Sequence, residues 1–192
     1  MSGGMHVHGP HDHALEHAAE HGSSDSFSGK VAVLTAVLAT VGAMMGYMGG
    51  ATQADAMLLK NESGAQKTAA SNQWNFYQAK SQKQNLAELG AVLAADPAAA
   101  SKFKASSARY ETEKADIKTA AEALEAKSTD ADKQSSHVMH LHHRWALATT
   151  LIQVSIALSA IALLTRRKWL LYGVGALGLG SLGVGILALL GL

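Results

Sequence analysis

The chain has 192 residues, with 16 Lys and Arg against 15 Asp and Glu, so its net charge is +1 when the histidines are neutral. This balance excludes a nucleic-acid binder that relies on a basic surface. The absence of cysteine excludes disulfides, thiolate zinc sites and cysteine nucleophiles. With 5% aromatic residues, 2 Pro and 18 Gly, the composition favours an all-α fold.

Residues 1–29 form a histidine-rich N-terminal tail that is predicted to be flexible. Within it, His13, His17 and His21 are four residues apart, so a helix would present all three on one face. This spacing suits Zn²⁺, Ni²⁺ or Cu²⁺. A flexible His-rich tail also binds such metals opportunistically, as polyhistidine does, and both interpretations stay open.

Three apolar stretches, uncharged apart from Lys30 at the start of the first, predict transmembrane helices at 30–52, 145–165 and 169–192. Each is close to the roughly 20 residues that a helix needs to cross a bilayer. The first stretch is longer than the apolar part of a signal peptide, which favours a retained anchor. Beyond Lys30, none of the three contains Asp, Glu, Lys, Arg or His, which argues against an ion-coupled transporter.

The short basic loop 166–168 predicts the orientation in the membrane. Its sequence, Arg-Arg-Lys, is the densest positive charge in the chain, and such loops stay in the cytoplasm. The N-terminus is then also cytoplasmic, and residues 53–144 are periplasmic in a bacterial inner membrane. The tail opposes this weakly, because it is acidic and lacks Lys and Arg before Lys30.

Residues 53–144 are rich in strong helix formers and are divided by Asp96-Pro97, which predicts a long antiparallel helical hairpin with its turn near 95–98. The second arm has a heptad series that predicts a coiled-coil seam. Its members are Phe103, Tyr110, Ile117, Leu124, Ala131 and Val138. The series continues to Trp145 without a break, which predicts that this arm and the second span form one continuous helix. In the first arm, Leu58, Ala65, Ala79, Leu86 and Leu93 share one heptad phase. A seam this narrow leaves no room for an enclosed catalytic pocket, so we expect the chain not to be an enzyme.

Trp74 and Tyr77 lie three residues apart, on one face of the first arm. Exposed aromatic side chains are favoured anchors at interfaces, so this face is a candidate for docking a partner protein. The alternative is that both rings pack against the facing arm.

A second group of histidines precedes the second predicted span. His137, His140 and His143 share a helix face, and Asp55 is expected near them at the foot of the hairpin. A metal site, a shared proton and ordinary interfacial polar residues are all compatible with this pattern.

Small residues recur on two predicted spans. Gly42, Gly46 and Gly50 are four apart on the first. The third has two stripes, and such stripes allow helices to approach closely. One consists of Gly173, Ala176, Gly180 and Gly183, and the other of Gly178, Ser181, Gly185 and Ala188. We expect one stripe to pack within the chain and the other against a second copy, which predicts a homo-oligomer.

The stretch from Asn72 to Ser81, the region around Ala108 to Glu111, and His140 to Arg167 resemble the bacterial "domain of unknown function 4337" family. The resemblance covers roughly residues 25–192 and implies small multi-pass membrane proteins of bacterial origin, with no activity assigned. We therefore expect a non-enzymatic inner-membrane protein that self-associates as a scaffold or accessory subunit and contacts lipid and an unidentified membrane or periplasmic protein. The alternatives are an oligomeric channel or a His-dependent metal-binding or metal-sensing protein.

Overall fold

The computed structural model describes residues 26–191. These residues form three α-helices and no strand: α1 (Ser26–Leu93), α2 (Pro97–Thr165) and α3 (Leu170–Leu189). The all-α prediction is confirmed for this part of the chain. Residues 1–25 of the predicted tail, with His13, His17 and His21, lie outside the described residues, whereas residues 26–29 already belong to α1.

The first two helices are longer than the predicted elements. α1 has 68 residues and α2 has 69, so each combines a predicted span and a predicted arm in one unbroken helix. The physical reason is that Ala, Gln, Lys and Glu follow or precede the spans, and no proline lies between Pro10 and Pro97 to stop α1. The predicted boundary at 52/53 is therefore not a helix end, whereas the continuity of α2 through residues 144 and 145 confirms the prediction of one helix for the second arm and the second span.

Both predicted connections lie between helices. At the first, the Asp96 carboxylate accepts hydrogen bonds from the backbone N–H groups of Ala98 and Ala99, at 3.0 and 3.3 Å. It caps the start of α2, and Pro97 occupies the first helical position, where a missing N–H costs nothing. At the second, Arg166 ends α2 with a positive φ of 52°, and α3 begins four residues later at Leu170.

The helices divide into two compact units. The first, called the apolar unit, comprises residues 26–53 and 140–191 of the described chain. Its core is built from all three helices by Leu38, Met45, Trp145, Ala148, Ile152, Val174 and Ala188. Each of the three helices contains a stretch long and apolar enough to cross a membrane. The apolar unit is therefore compatible with a membrane protein.

The second unit, called the polar unit, is Ala54–Met139. Its buried residues are mostly small: Ala56, Ser63, Ala70, Ala87, Ala121, Ser128, Ala131 and Ser135, with Ile117 as the largest. Small side chains at these positions allow the backbones of α1 and α2 to approach closely. Ser63 Oγ lies 3.2 Å from Ser128 Oγ, and the Ser135 hydroxyl donates to the Ala56 carbonyl at 2.8 Å.

Candidate interaction surfaces

The glycine stripe of α1 divides between a packed and an open face. A methyl group at Gly42 would lie 3.0 Å from Ile152 Cγ2 of α2, whereas at Gly46 and Gly50 it would meet no atom within 4 Å among the described residues. Gly49, which is not part of the predicted stripe, is also packed, since a methyl group there would lie 3.4 Å from Trp145 Cβ. Gly49 is seven residues after Gly42, and seven residues return a helix to almost the same face. Each step of four residues adds about 40° to a full turn, so Gly46 and Gly50 lie progressively farther from the packed face of Gly42.

The two stripes of α3 also differ. Gly178, Ser181, Gly185 and Ala188 are buried inside the apolar unit, and a methyl group at Gly185 would lie 2.9 Å from Met45 Cε. In the other stripe only Gly173 meets a neighbour, Leu158, while Ala176, Gly180 and Gly183 are exposed. The chain itself therefore uses one stripe and leaves most of the other open.

Buried hydroxyl groups join the three helices of the apolar unit. Ser155 of α2 donates to the Val174 carbonyl of α3 at 2.8 Å, and Ser159 of α2 lies 2.8 Å from the Thr35 hydroxyl of α1. Sequence reasoning missed these serines, because a lone serine in an apolar stretch does not show whether it faces lipid or a neighbouring helix. The only available signal was their separation by four residues, which places both on one face of α2.

Among the histidines before the second apolar stretch, His142 is the one bonded to α1. Its Nδ1 lies 2.8 Å from the Gly49 carbonyl oxygen, so this nitrogen carries a proton and donates. Its ring centroid lies 5.7 Å from that of His143. His142 was not among the candidate ligands, since its helix position differs from that of the three selected histidines.

No group of three or more His, Asp or Glu side chains that could hold a metal ion occurs within residues 26–191. The predicted set of His137, His140, His143 and Asp55 thus gains no geometric support and stays a prediction. His137, His140 and His143 are all exposed.

In the polar unit, the predicted heptad residues of α2 differ in exposure. Ile117 is buried, Tyr110, Leu124 and Val138 are half-buried, and Phe103 is exposed while its ring packs on Gly90. The positions four residues after Ile117, Leu124 and Ala131 are occupied by Ala121, Ser128 and Ser135, which are all buried. These small residues form a second buried series that the search for large apolar residues overlooked.

The heptad phase selected on α1 is not the buried one. Leu58, Leu86 and Leu93 are 67–72% exposed. The buried residues are instead Ala56, Ser63 and Ala70, which are also seven apart. Side-chain size misled the prediction, because a close approach of two backbones selects Ala and Ser for the interior and leaves leucine outside.

Trp74 and Tyr77 are both half-buried, and their rings make an edge-to-face contact with centroids 5.6 Å apart. The Trp74 indole N–H donates to Glu125 Oε1 of α2 at 2.8 Å. Trp74 also lines an open groove between α1 and α2. The two aromatic residues therefore contact each other and the facing helix, while part of each ring stays accessible to a partner.

Beside them, Lys80 of α1 connects several residues. Its ammonium group donates to Glu113 Oε2 and lies 5.3 and 5.5 Å from the ring centroids of Phe76 and Tyr110. The hydrogen bond from Lys80 is the main reason that the pKa of Glu113 lies below its ordinary value. Desolvation is the next largest influence and opposes this lowering, whereas the positive charges of Lys80, Arg109 and Lys83 each lower the pKa further.

The family described as "Domain of unknown function (DUF4337)" matches residues 27–191. The chain belongs to this family. Searches of curated proteins and of solved structures each gave no significant match.

Membership in the DUF4337 family confirms the resemblance seen in the sequence. The matched range spans both the apolar and the polar unit, so the family pattern includes the three helices together. The family description names no reaction or ligand.

Proposed function

We propose that this chain is a non-enzymatic integral protein of the bacterial inner membrane that self-associates and serves as a scaffold or accessory subunit. The apolar unit anchors three helices in lipid. Residues 53–144 form an extramembrane helical hairpin, packed as a coiled coil, that presents a surface to other proteins. No specific observation on the described residues favours a channel or a His-dependent metal function over this proposal.

The observation that carries the proposal is the outward placement of large apolar side chains on all three helices of the apolar unit. Tyr47 of α1, Leu164 of α2 and Leu179 of α3 are each 72–85% exposed. In water, so large an apolar surface would require a cover, whereas lipid provides one. The buried serine hydroxyls meanwhile find hydrogen-bond partners within the unit, as a bilayer requires.

Self-association is supported by the small-residue faces that the chain leaves open. Gly46 and Gly50 of α1 and Gly180 and Gly183 of α3 have no atom within 4 Å of a built methyl group among the described residues. Faces of this kind favour close contact between helices in lipid. A scaffold needs such contacts, and it needs no catalytic pocket.

Native mass spectrometry of the purified full chain in nanodiscs of native lipid tests self-association. We expect the mass of an oligomer, that is, at least twice the 20.0 kDa mass of the protomer. A monomer at every protein concentration would contradict the proposal. Release of the protein from membranes by alkaline carbonate would contradict membrane insertion.

Orientation is tested by single cysteines, because the wild-type chain has none to interfere. We expect Ser101→Cys, on the proposed periplasmic side, to react with a membrane-impermeant maleimide in intact cells. Lys168→Cys, in the basic loop, reacts only after lysis. The reverse pattern would place the hairpin in the cytoplasm.

A further inference from the structure

The polar unit contains an open groove of about 830 Å³ between α1 and α2. Buried Ser63, Ala70 and Ser128 line its interior. Its two walls carry opposite charges. The α1 wall supplies Lys60 and Lys67 and no acidic residue, while the α2 wall supplies Glu125 and Asp132 and no basic residue.

The charges at one end of the groove are neutralised within the chain. Lys60 forms an ion pair with Asp132 across the groove. The other two charges have no such partner. Within the described part of the chain, Lys67 forms no ion pair, and Glu125 accepts a hydrogen bond from Trp74 but has no cationic partner. A cation and a carboxylate therefore stand on opposite walls, both without an ionic partner.

The shape and chemistry of the groove suit another pair of helices. Its α1 wall also carries Gly64, Ser71 and Asn75, side chains that are small or able to hydrogen-bond. The groove is open along its length and only partly apolar, in contrast to the enclosed, mostly apolar cavities that hold small ligands. A surface with one basic and one acidic wall is complementary in charge to a second copy of itself that is rotated by 180°.

We propose that a second copy of the chain docks on this groove, with the two copies related by a two-fold axis that runs along the helices. A half-turn about this axis brings the basic α1 wall of each copy against the acidic α2 wall of the other. Lys67 then pairs with Glu125 of the partner subunit, and the symmetry repeats the contact. This inference rests on the proposed self-association and assigns a surface to it.

Charge reversal tests the pairing in the full chain in native-lipid nanodiscs. Lys67→Glu places a carboxylate opposite the partner's Glu125, and Glu125→Lys places two ammonium groups together. We expect each single variant to weaken dimerisation by roughly tenfold or more, because like charges in an interface repel strongly. The double variant Lys67→Glu/Glu125→Lys restores opposite charges and with them the dimer.

The matched control is Lys118→Glu/Glu122→Lys, which reverses an exposed ion pair on α2 outside the groove. We expect this control and its single variants to dimerise like wild type. If all the groove variants also associate like wild type, the inference fails while self-association stands. If wild type itself is monomeric, the proposed self-association fails, and the inference with it. Losses in the single variants without recovery in the double variant would also overturn the pairing.

Cysteine cross-linking keeps the inference testable if a charge-reversed variant does not fold. Lys67→Cys in one tagged copy and Glu125→Cys in a differently tagged copy are co-expressed in the otherwise cysteine-free chain. A disulfide between the two tags is the expected result. Lys118→Cys combined with Glu125→Cys is the control and should give none. Absence of the Lys67–Glu125 cross-link overturns the inference.

Discussion

The hydroxyl group of Ser181 in α3 donates a 2.7 Å hydrogen bond to the backbone carbonyl of Ala148 in α2. The same oxygen lies 3.3 Å from Met45 Sδ of α1. One serine side chain, fully buried, thus contacts both other helices of the apolar unit. Removal of the Ser181 hydroxyl group should therefore lower the free energy of unfolding.

For Ser181→Ala we expect the free energy of unfolding to fall by about 1 kcal/mol, which is typical of hydrogen bonds between helices in membranes. Reversible unfolding of the reconstituted protein in denaturing detergent measures the change. Thr40→Ala is the control, because the Thr40 hydroxyl is exposed and bonds only to the Ala36 carbonyl of its own helix. An equal loss in both variants would contradict a specific role for Ser181.

A second prediction concerns the glycines of α1. We expect Gly42→Leu to lower the free energy of unfolding by about 1–3 kcal/mol, the usual cost of overpacking. The reason is that a methyl group there already lies 3.0 Å from Cγ2 of Ile152, a fully buried β-branched side chain that cannot rotate away. Detergent unfolding again measures the change.

Gly46→Leu is the matched control, since its side chain would meet no atom within 4 Å among the described residues. We expect its stability to equal or exceed that of wild type, because glycine is a poor helix former. If the two leucine variants were equally stable, the assignment of Gly42 to the packed face would be refuted.

The helices and their ends were predictable to different degrees. The Asp96-Pro97 turn was visible because a capping carboxylate and a proline are local signals. The continuity of α1 through residues 52 and 53 was not predicted, because a change from apolar to polar composition resembles an element boundary. The composition changes from apolar to polar at that point, but the residues on both sides favour a helix.

The interacting faces were less predictable than the helices. Both small-residue stripes of α3 have the same spacing, so only their neighbours decide that Gly185 is packed against Met45 and Gly183 is open. In the polar unit, the leucines of α1 suggested one interior face, whereas the buried residues are Ala56, Ser63 and Ala70. The size and charge of the side chains and the period at which they recur do not reveal how closely the backbones of two helices approach each other.

A third prediction tests this small-residue interior with two adjacent alanines. Ala121 is fully buried, whereas Ala120 is exposed. We expect Ala121→Leu to reduce the free energy of unfolding by about 1–3 kcal/mol, because the larger side chain separates α1 from α2. The same change at Ala120 should alter it by less than about 0.5 kcal/mol.

Thermal unfolding followed by circular dichroism in nanodiscs compares the two leucine variants of this pair. The substitution, the helix and the local sequence are the same, so a difference reports burial alone. A more stable Ala121→Leu protein would show that the interior prefers large apolar residues, as in an ordinary heptad seam.

A fourth prediction follows from the lowered pKa of Glu113, which arises first from the hydrogen bond that Lys80 donates and then from the positive charges of Lys80, Arg109 and Lys83. A carboxyl group whose pKa is lower in the folded state contributes stability above its unfolded pKa of about 4.3, and this contribution is lost as the pH falls through the folded value. We therefore expect stability to decline as the pH drops below about 4.3.

Glu113→Gln removes this titration, so its stability should depend less on pH in that acidic range than the stability of wild type. Lys80→Met removes the largest cause of the shift and should raise the pKa of Glu113, which carbon NMR of the labelled carboxyl group in the full chain measures directly. Arg109→Met, which removes only a weaker charge contact at 3.6 Å, should raise that pKa less. If the Arg109 variant moved the pKa more than the Lys80 variant, the charge of Arg109 would control this carboxylate, and the hydrogen bond from α1 would not.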